Sequence, residues 1–190
     1  MRLAWSRQPV SHALQVLRRR GLLVENGKRG LLVAPLDPDR LRDLYQVRAA
    51  LDGLAARLAA ERARARLLPP KLCAIAERQA ANGTELAVHG SVGELIAADV
   101  AFHSTLYALS GNSAIAETVA EEWPHFMRSM GAVLADYDVR LRSRVWAEHA
   151  EILTAILAGR AGPAQRLSQQ HARRAGEYMT RRVQHLASVA

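Results

Sequence analysis

A single cysteine, Cys73, in 190 residues leaves the chain without any internal disulfide. Aromatic residues make up only 5% of it, and β-branched residues are sparse beside alanine and leucine, which disfavours sheets and favours helices. No apolar run is long enough to span a bilayer, and the opening "MRLAWSRQPV" lacks the apolar core of an export signal. A cytoplasmic location without membrane partners is therefore expected. Repeats, low-complexity stretches and a sustained heptad are absent, as are a nucleophile elbow, a phosphate loop and a zincin motif. What is present is enough chain for one domain of ordinary size plus a small module, with 49% of its residues hydrophobic.

Charge divides the chain unevenly. Residues 1–36 hold seven basic side chains against Glu25 alone, so +6 of the formal net charge of +8 sits there. Such asymmetry points to a module facing a polyanion, joined to a nearly neutral body. Val10, Leu14 and Leu17 recur at helical spacing and are expected to turn inward, which a solvated basic tail would not require. Ser6 is the expected N-cap, Pro9 falls in the first turn and Gly21 ends the helix, giving a span of about Arg7 to Arg20. Arg7, Gln8, Ser11, His12 and Gln15 then face outward, where they can reach base edges, with Arg18 and Arg19 available for phosphates. The stretch "LLVENGKRGLLV" reads as a β-hairpin with a type I′ turn at Asn26-Gly27 and with Lys28 and Arg29 at its tip. A recognition helix followed by a basic hairpin is the second half of a winged helix-turn-helix; the few residues ahead of it are too short a stretch for the first half.

In "APLDPDRL", Asp37 as N-cap and Pro38 at the first helical position open a second domain covering residues 37–190. Six helices are expected in it: one from Asp37, then about 70–82, 91–110, 113–137 with Pro124 inside, 140–158 and 163–187. Short connections predict an antiparallel all-α bundle. Along the first of these helices Leu41, Leu44, Arg48, Leu51, Ala55 and Leu58 alternate in steps of three and four, which places Arg48 in a buried row. A buried guanidinium needs an anionic partner. Asp52, one turn on, and a bound carboxylate ligand are equal alternatives.

Polar residues interrupt three more apolar stripes. Asp99 and His103, at i and i+4, sit within the stripe Leu95, Phe102, Leu106 and Leu109. His149 sits with Val145, Ile152 and Ile156, and His171 with Leu167, Ala175 and Tyr178. Any one of these histidines is more simply a satisfied core residue. Together, an acid and three imidazoles in one apolar interior are satisfied at once by a divalent cation, of borderline type such as Zn²⁺ or Ni²⁺ rather than Ca²⁺ or Mg²⁺. His89, His125 and His185 are expected to face solvent, with His185 nearly in line with His171.

The stretch "SRQPVSHALQVLRRRGLLVENGKRGLLVAPLDPDRLRDLYQVRAALDGLAARLAAER" resembles the junction region of GntR-family bacterial transcription regulators of the subfamily whose C-terminal half is an FCD effector domain. The resemblance implies DNA contacts at Arg7 and Gly27, a homodimer and operator DNA as partner. It differs at Ser11 and His12, where the family usually carries arginine and glutamate. It also implies a metal site of one Asp and three His in the order Asp99, His103, His149, His171, whose open positions take water or the carboxylate of a small organic acid. Arg48 would grip the far end of that acid, and Asn112 is the second candidate effector contact. The expected function is a metabolite-responsive regulator, not an enzyme. Two alternatives stay open: a metal-stabilised ligand-binding module without DNA binding, and a helical metalloenzyme with Glu148 as base. Against the latter, neighbouring residues on a helix point about 100° apart.

Overall fold

The structure is a computed structural model that describes residues 7–188. The chain divides into two compact units, residues 1–36 and 37–190.

In the first unit, helix α1 (Arg7–Arg19) is followed by a two-stranded antiparallel hairpin, β1 (Leu23–Glu25) and β2 (Leu31–Val33), in register Leu23↔Val33, Val24↔Leu32 and Glu25↔Leu31. The expected N-cap, Ser6, lies outside the described residues. The hairpin forms where expected, but not with a type I′ turn. Asn26 has φ −111°, whereas that turn needs positive φ at both central residues. Gly27 and Gly30 instead carry the positive φ values, and a single 3₁₀ turn over Gly27–Arg29 fills a longer loop closed by the Asn26 amide donating to the Gly30 carbonyl at 2.8 Å. Only Leu22 and Ala34 are buried apolar side chains among the described residues of this unit. Val10, Leu14 and Leu17 remain 51%, 39% and 38% exposed rather than turned inward, because one helix and a short hairpin offer too little apolar surface to cover them.

The second unit is a bundle of six helices: α2 (Pro38–Arg64), α3 (Pro70–His89), α4 (Val92–Ser110), α5 (Ser113–Val133), α6 (Val139–Leu157) and α7 (Ala161–Ser188). Helix α2 starts as its sequence dictates. The Asp37 carboxylate accepts from the amides of Asp39 and Arg40 at 2.9 and 3.1 Å, and Pro38 occupies the first turn. Helix α4 opens with a reciprocal capping box between Ser91 and Glu94 and ends at Gly111 in the left-handed conformation. Helix α5 starts at Asn112, whose side chain accepts from the Ala114 amide at 3.2 Å, and passes through Pro124.

The most extensive packing is between α2 and α7, where Gly53 lies against the Gln169 side chain and Gly176 against Tyr45. Helix α3 runs a full two turns beyond the expected end at residue 82. Gly83 does not stop it. It is there because a Cβ at that position would lie 2.1 Å from the Trp146 ring, so its bare backbone lets α6 pack against α3. Phe102, Phe126, Ile152 and Ile156 fill the centre, together with two histidines. No helix among the described residues is long and apolar enough to cross a membrane.

Candidate metal centre

Helices α4, α6 and α7 each bring a ligating side chain to one point. Asp99 and His103 lie one turn apart on α4, His149 comes from α6 and His171 from α7. One donor atom from each of the four lies within 4.8 Å of the other three. His103 Nε2 and His149 Nε2 are 3.2 Å apart, and Asp99 Oδ1 is 3.7 Å from the first and 3.6 Å from the second. Ligand atoms bound tetrahedrally at roughly 2.0–2.1 Å from one zinc ion stand about 3.3 Å from each other. The residues present therefore fit a single divalent cation.

Their protonation states suit it as well. Burial first, then the guanidinium of Arg48 and the neighbouring imidazoles, pushes His103 far below its ordinary value. Burial, His171 and Arg48 do the same to His149. Both rings are thus held neutral with a lone pair to donate. The sign of the resulting pH dependence follows. An unfolded chain takes up protons on these two rings below roughly pH 6.5, and the folded one does not. Stability that is fully present above that value is lost as the pH falls toward the depressed folded-state values. Asp52, raised by burial, acts with the opposite sign, from the ordinary carboxylate range upward to its raised folded-state value. The melting temperature of the chelator-treated protein should decline between pH 7.5 and 5.5, and a His103→Gln, His149→Gln double variant should flatten that slope. An equal slope in both proteins refutes the assignment.

One further carboxylate holds an imidazole from behind, and a second lies near another. Glu148 Oε2 lies 2.9 Å from His171 Nδ1, while Glu148 Oε1 meets Arg174 at 3.1 Å and Arg144 at 3.4 Å. Burial alone would raise the Glu148 carboxyl, but the hydrogen bond and charge of His171, followed by Arg174 and Arg144, bring it below the ordinary range. With Nδ1 engaged in this way, His171 has Nε2 left for a cation, the arrangement by which outer carboxylates orient metal-bound imidazoles. Asp52 Oδ2 is 3.6 Å from His103 Nδ1, and neither atom has a hydrogen-bond partner. The Tyr107 hydroxyl donates to the other oxygen, Asp52 Oδ1, at 2.5 Å.

Arg48 closes the cluster. Its guanidinium lies 3.4 Å from Asp52 Oδ2 and 3.5 Å from Asp99 Oδ2, and packs 5.0 Å from the ring centres of both Trp123 and Phe126. Asp52, one of the two alternatives left open by the sequence, is beside it, and Asp99 is a second anionic neighbour. Arg48, Asp99 and His171 also line a cavity of about 340 Å³, whereas His103 and His149 lie outside its lining. Asn112 is not brought to this site; its side chain caps α5.

Of the remaining candidates, Gln8, Ser11, His12 and Gln15 on α1 and Gly27 and Arg29 in the hairpin are exposed, while the side chains of Arg7 and Lys28 lie outside the described parts of the structure. Arg18 is paired with Glu25 rather than standing clear. His89 and His185 are exposed, but His125 is buried, because α5 hides a second row, His125 and Ser129, beside Val119, Trp123, Phe126 and Met130. Glu148 was invisible as a partner of His171: the two come together only through the packing of α6 on α7. Tyr107 could have been found, since it follows Asp99 and His103 at four-residue spacing on the same face.

Six helices gathered round a half-buried acid and three buried imidazoles, with a cavity beside them, form an all-α bundle. The FCD domain matches residues 43–174, more than half of the chain, and the chain belongs to that family. The Nta operon transcriptional regulator of Aminobacter aminovorans is 32% identical over 114 residues, 60% of this chain and 51% of the relative. The chain thus spans about half the length of the curated relative it matches. Among solved structures, E. coli McbR/YncC superposes with a TM-score of 0.80 at 16% identity, covering 95% of this chain and 88% of that one. A GntR-family transcriptional regulator from Pseudomonas syringae pv. tomato shares 25% identity at a TM-score of 0.61, covering 95% of this chain and 73% of that one.

Proposed function

We propose that the chain is a DNA-binding transcriptional regulator whose helical domain binds one divalent cation and a small organic acid, and that the acid alters affinity for operator DNA. The observation that carries this reading is the convergence of Asp99, His103, His149 and His171 beside Arg48, two of these four ligand residues and Arg48 facing one cavity. Three imidazoles and a carboxylate suit a borderline ion, Zn²⁺ or Ni²⁺. When bound, such an ion supplies a Lewis-acidic acceptor for a carboxylate. The chain's own residues do the rest. Glu148 fixes the His171 ring, burial keeps the other two imidazoles neutral, and Arg48 offers a guanidinium to an incoming anion in exchange for its long contact with Asp99.

For the acid to change DNA affinity, it must bind two arrangements of a dimer unequally. A homodimer reading a two-fold operator through α1 and the hairpin provides such arrangements. The Aminobacter relative is by name an operon regulator, which supports assigning the same kind of role here.

The test uses DNA selected by the metal-loaded protein from a random-sequence pool and read by mobility shift. Affinity should fall steeply with salt, as phosphate contacts require, and should move by about fivefold or more on adding a binding carboxylic acid. Salt-independent retention, or an acid that binds the protein and leaves DNA affinity unmoved, sinks the reading.

A further inference from the structure

The cavity beside the cluster has two kinds of lining. Arg48, Asp99 and His171 contribute polar groups, and Leu95, Met130, Leu134, Leu141, Val145 and Met179 contribute apolar surface. The rings of Tyr137 and Tyr178, edge to face at 4.7 Å, add apolar surface. At about 340 Å³ it has roughly twice the room of a cavity that accepts benzene. Acetate alone would leave most of that space to water against an apolar wall.

Several arginines line the same cavity, which at first suggests a polyanion. Most are already committed. Arg142 donates to the carbonyls of Gly90 and Leu134, both at 3.3 Å. Arg144 and Arg174 hold Glu148, and Arg48 holds Asp52 and Asp99. Arg181 is exposed. A second carboxylate lodged against the aliphatic part of the lining would be an unpaired charge, which is strongly disfavoured.

Resting on the carboxylate reading above, we infer that the effector is a monocarboxylate with an apolar body, an aryl-alkanoate or a medium-chain fatty acid, and not a di- or tricarboxylate. The carboxylate is received among Arg48, Asp99 and His171, and the body lies along Met130, Leu134 and Val145. Each buried methylene should then tighten binding about fourfold, less the freedom lost on ordering the chain.

Calorimetric titration of the zinc-loaded protein with acetate, succinate, hexanoate and 3-phenylpropionate tests this. Hexanoate and 3-phenylpropionate should bind at least about tenfold more tightly than acetate, with succinate no tighter than acetate. Ala175→Phe, which fills the half-buried α7 side of the cavity, should weaken 3-phenylpropionate by about tenfold or more and leave acetate within about twofold. Succinate or acetate matching 3-phenylpropionate in the unaltered protein overturns the apolar-body assignment and leaves the carboxylate reading standing. If none of the four acids binds while zinc is retained, both are overturned.

Discussion

His149→Ala should release the metal. The protein purified without chelator is expected to carry close to one equivalent of divalent ion, and the variant almost none by elemental analysis. His149 is fully buried, and its Nε2 lies within 3.6 Å of both His103 Nε2 and Asp99 Oδ1, so no side chain from the surface can replace it. Loss of an outer-shell partner already weakens metal sites by roughly 10–100-fold, and loss of a direct ligand should exceed that. The acid response should go with the ion. His149 also packs against Phe102 at 4.7 Å and Trp146 at 4.6 Å, so part of any change could come from the hole left behind. His149→Gln, which keeps most of the volume, separates the two causes and should lose the ion as well. His185→Ala, at an exposed position on the same helix as His171, should retain it. Full metal content in His149→Ala would falsify the centre.

Arg48→Ala should be the most destabilising single change near the site. It removes the one guanidinium packed against both Asp52 and Asp99 and leaves Asp52, almost entirely buried, without its cation. Breaking a buried pair in this way is expected to cost about 3–5 kcal/mol, roughly a 10–15 °C drop in Tm for a chain of this size. Arg48 is held strongly protonated: burial opposes its charge, but Asp52 and then Asp99 outweigh that. Asp52→Asn in the Arg48→Ala background should recover part of the loss, because it removes the orphaned charge. A melting temperature within about 2 °C of the parent in Arg48→Ala would mean that solvent or Tyr107 already neutralises Asp52 without help.

Local signals carried much of the fold. Asp37-Pro38 marks the start of α2, Ser91 and Glu94 close the N-terminus of α4, and the stripe periodicities place four ligand residues on the inner faces of three helices. These features depend on side chains within a turn or two of each other, which a linear text displays. Features fixed by neighbouring helices were not legible. The helix expected over about residues 70–82 runs on through Gly83, whose bare backbone admits the Trp146 ring, and Asn26-Gly27 reads as a two-residue turn until Gly30 supplies the second positive φ. Glu148 looks misdirected next to His149, yet a glutamate side chain is long enough to reach His171 on α7. His125 reads as solvent-facing because the buried face of α5 is broader than a single stripe. The apolar cavity needs five helices to exist at all, and no stretch of sequence announces it.

The donors of the cluster are strung out along the second unit, the first on α4 and the last on α7. No nascent chain still lacking α7 can offer a complete coordination set, so capture of an ion would have to wait until α7 has been made. An ion bound by these four side chains would act as a rivet through α4, α6 and α7. Its binding free energy then opposes the peeling away of any single one of them, and the loaded domain should come apart only in one cooperative event.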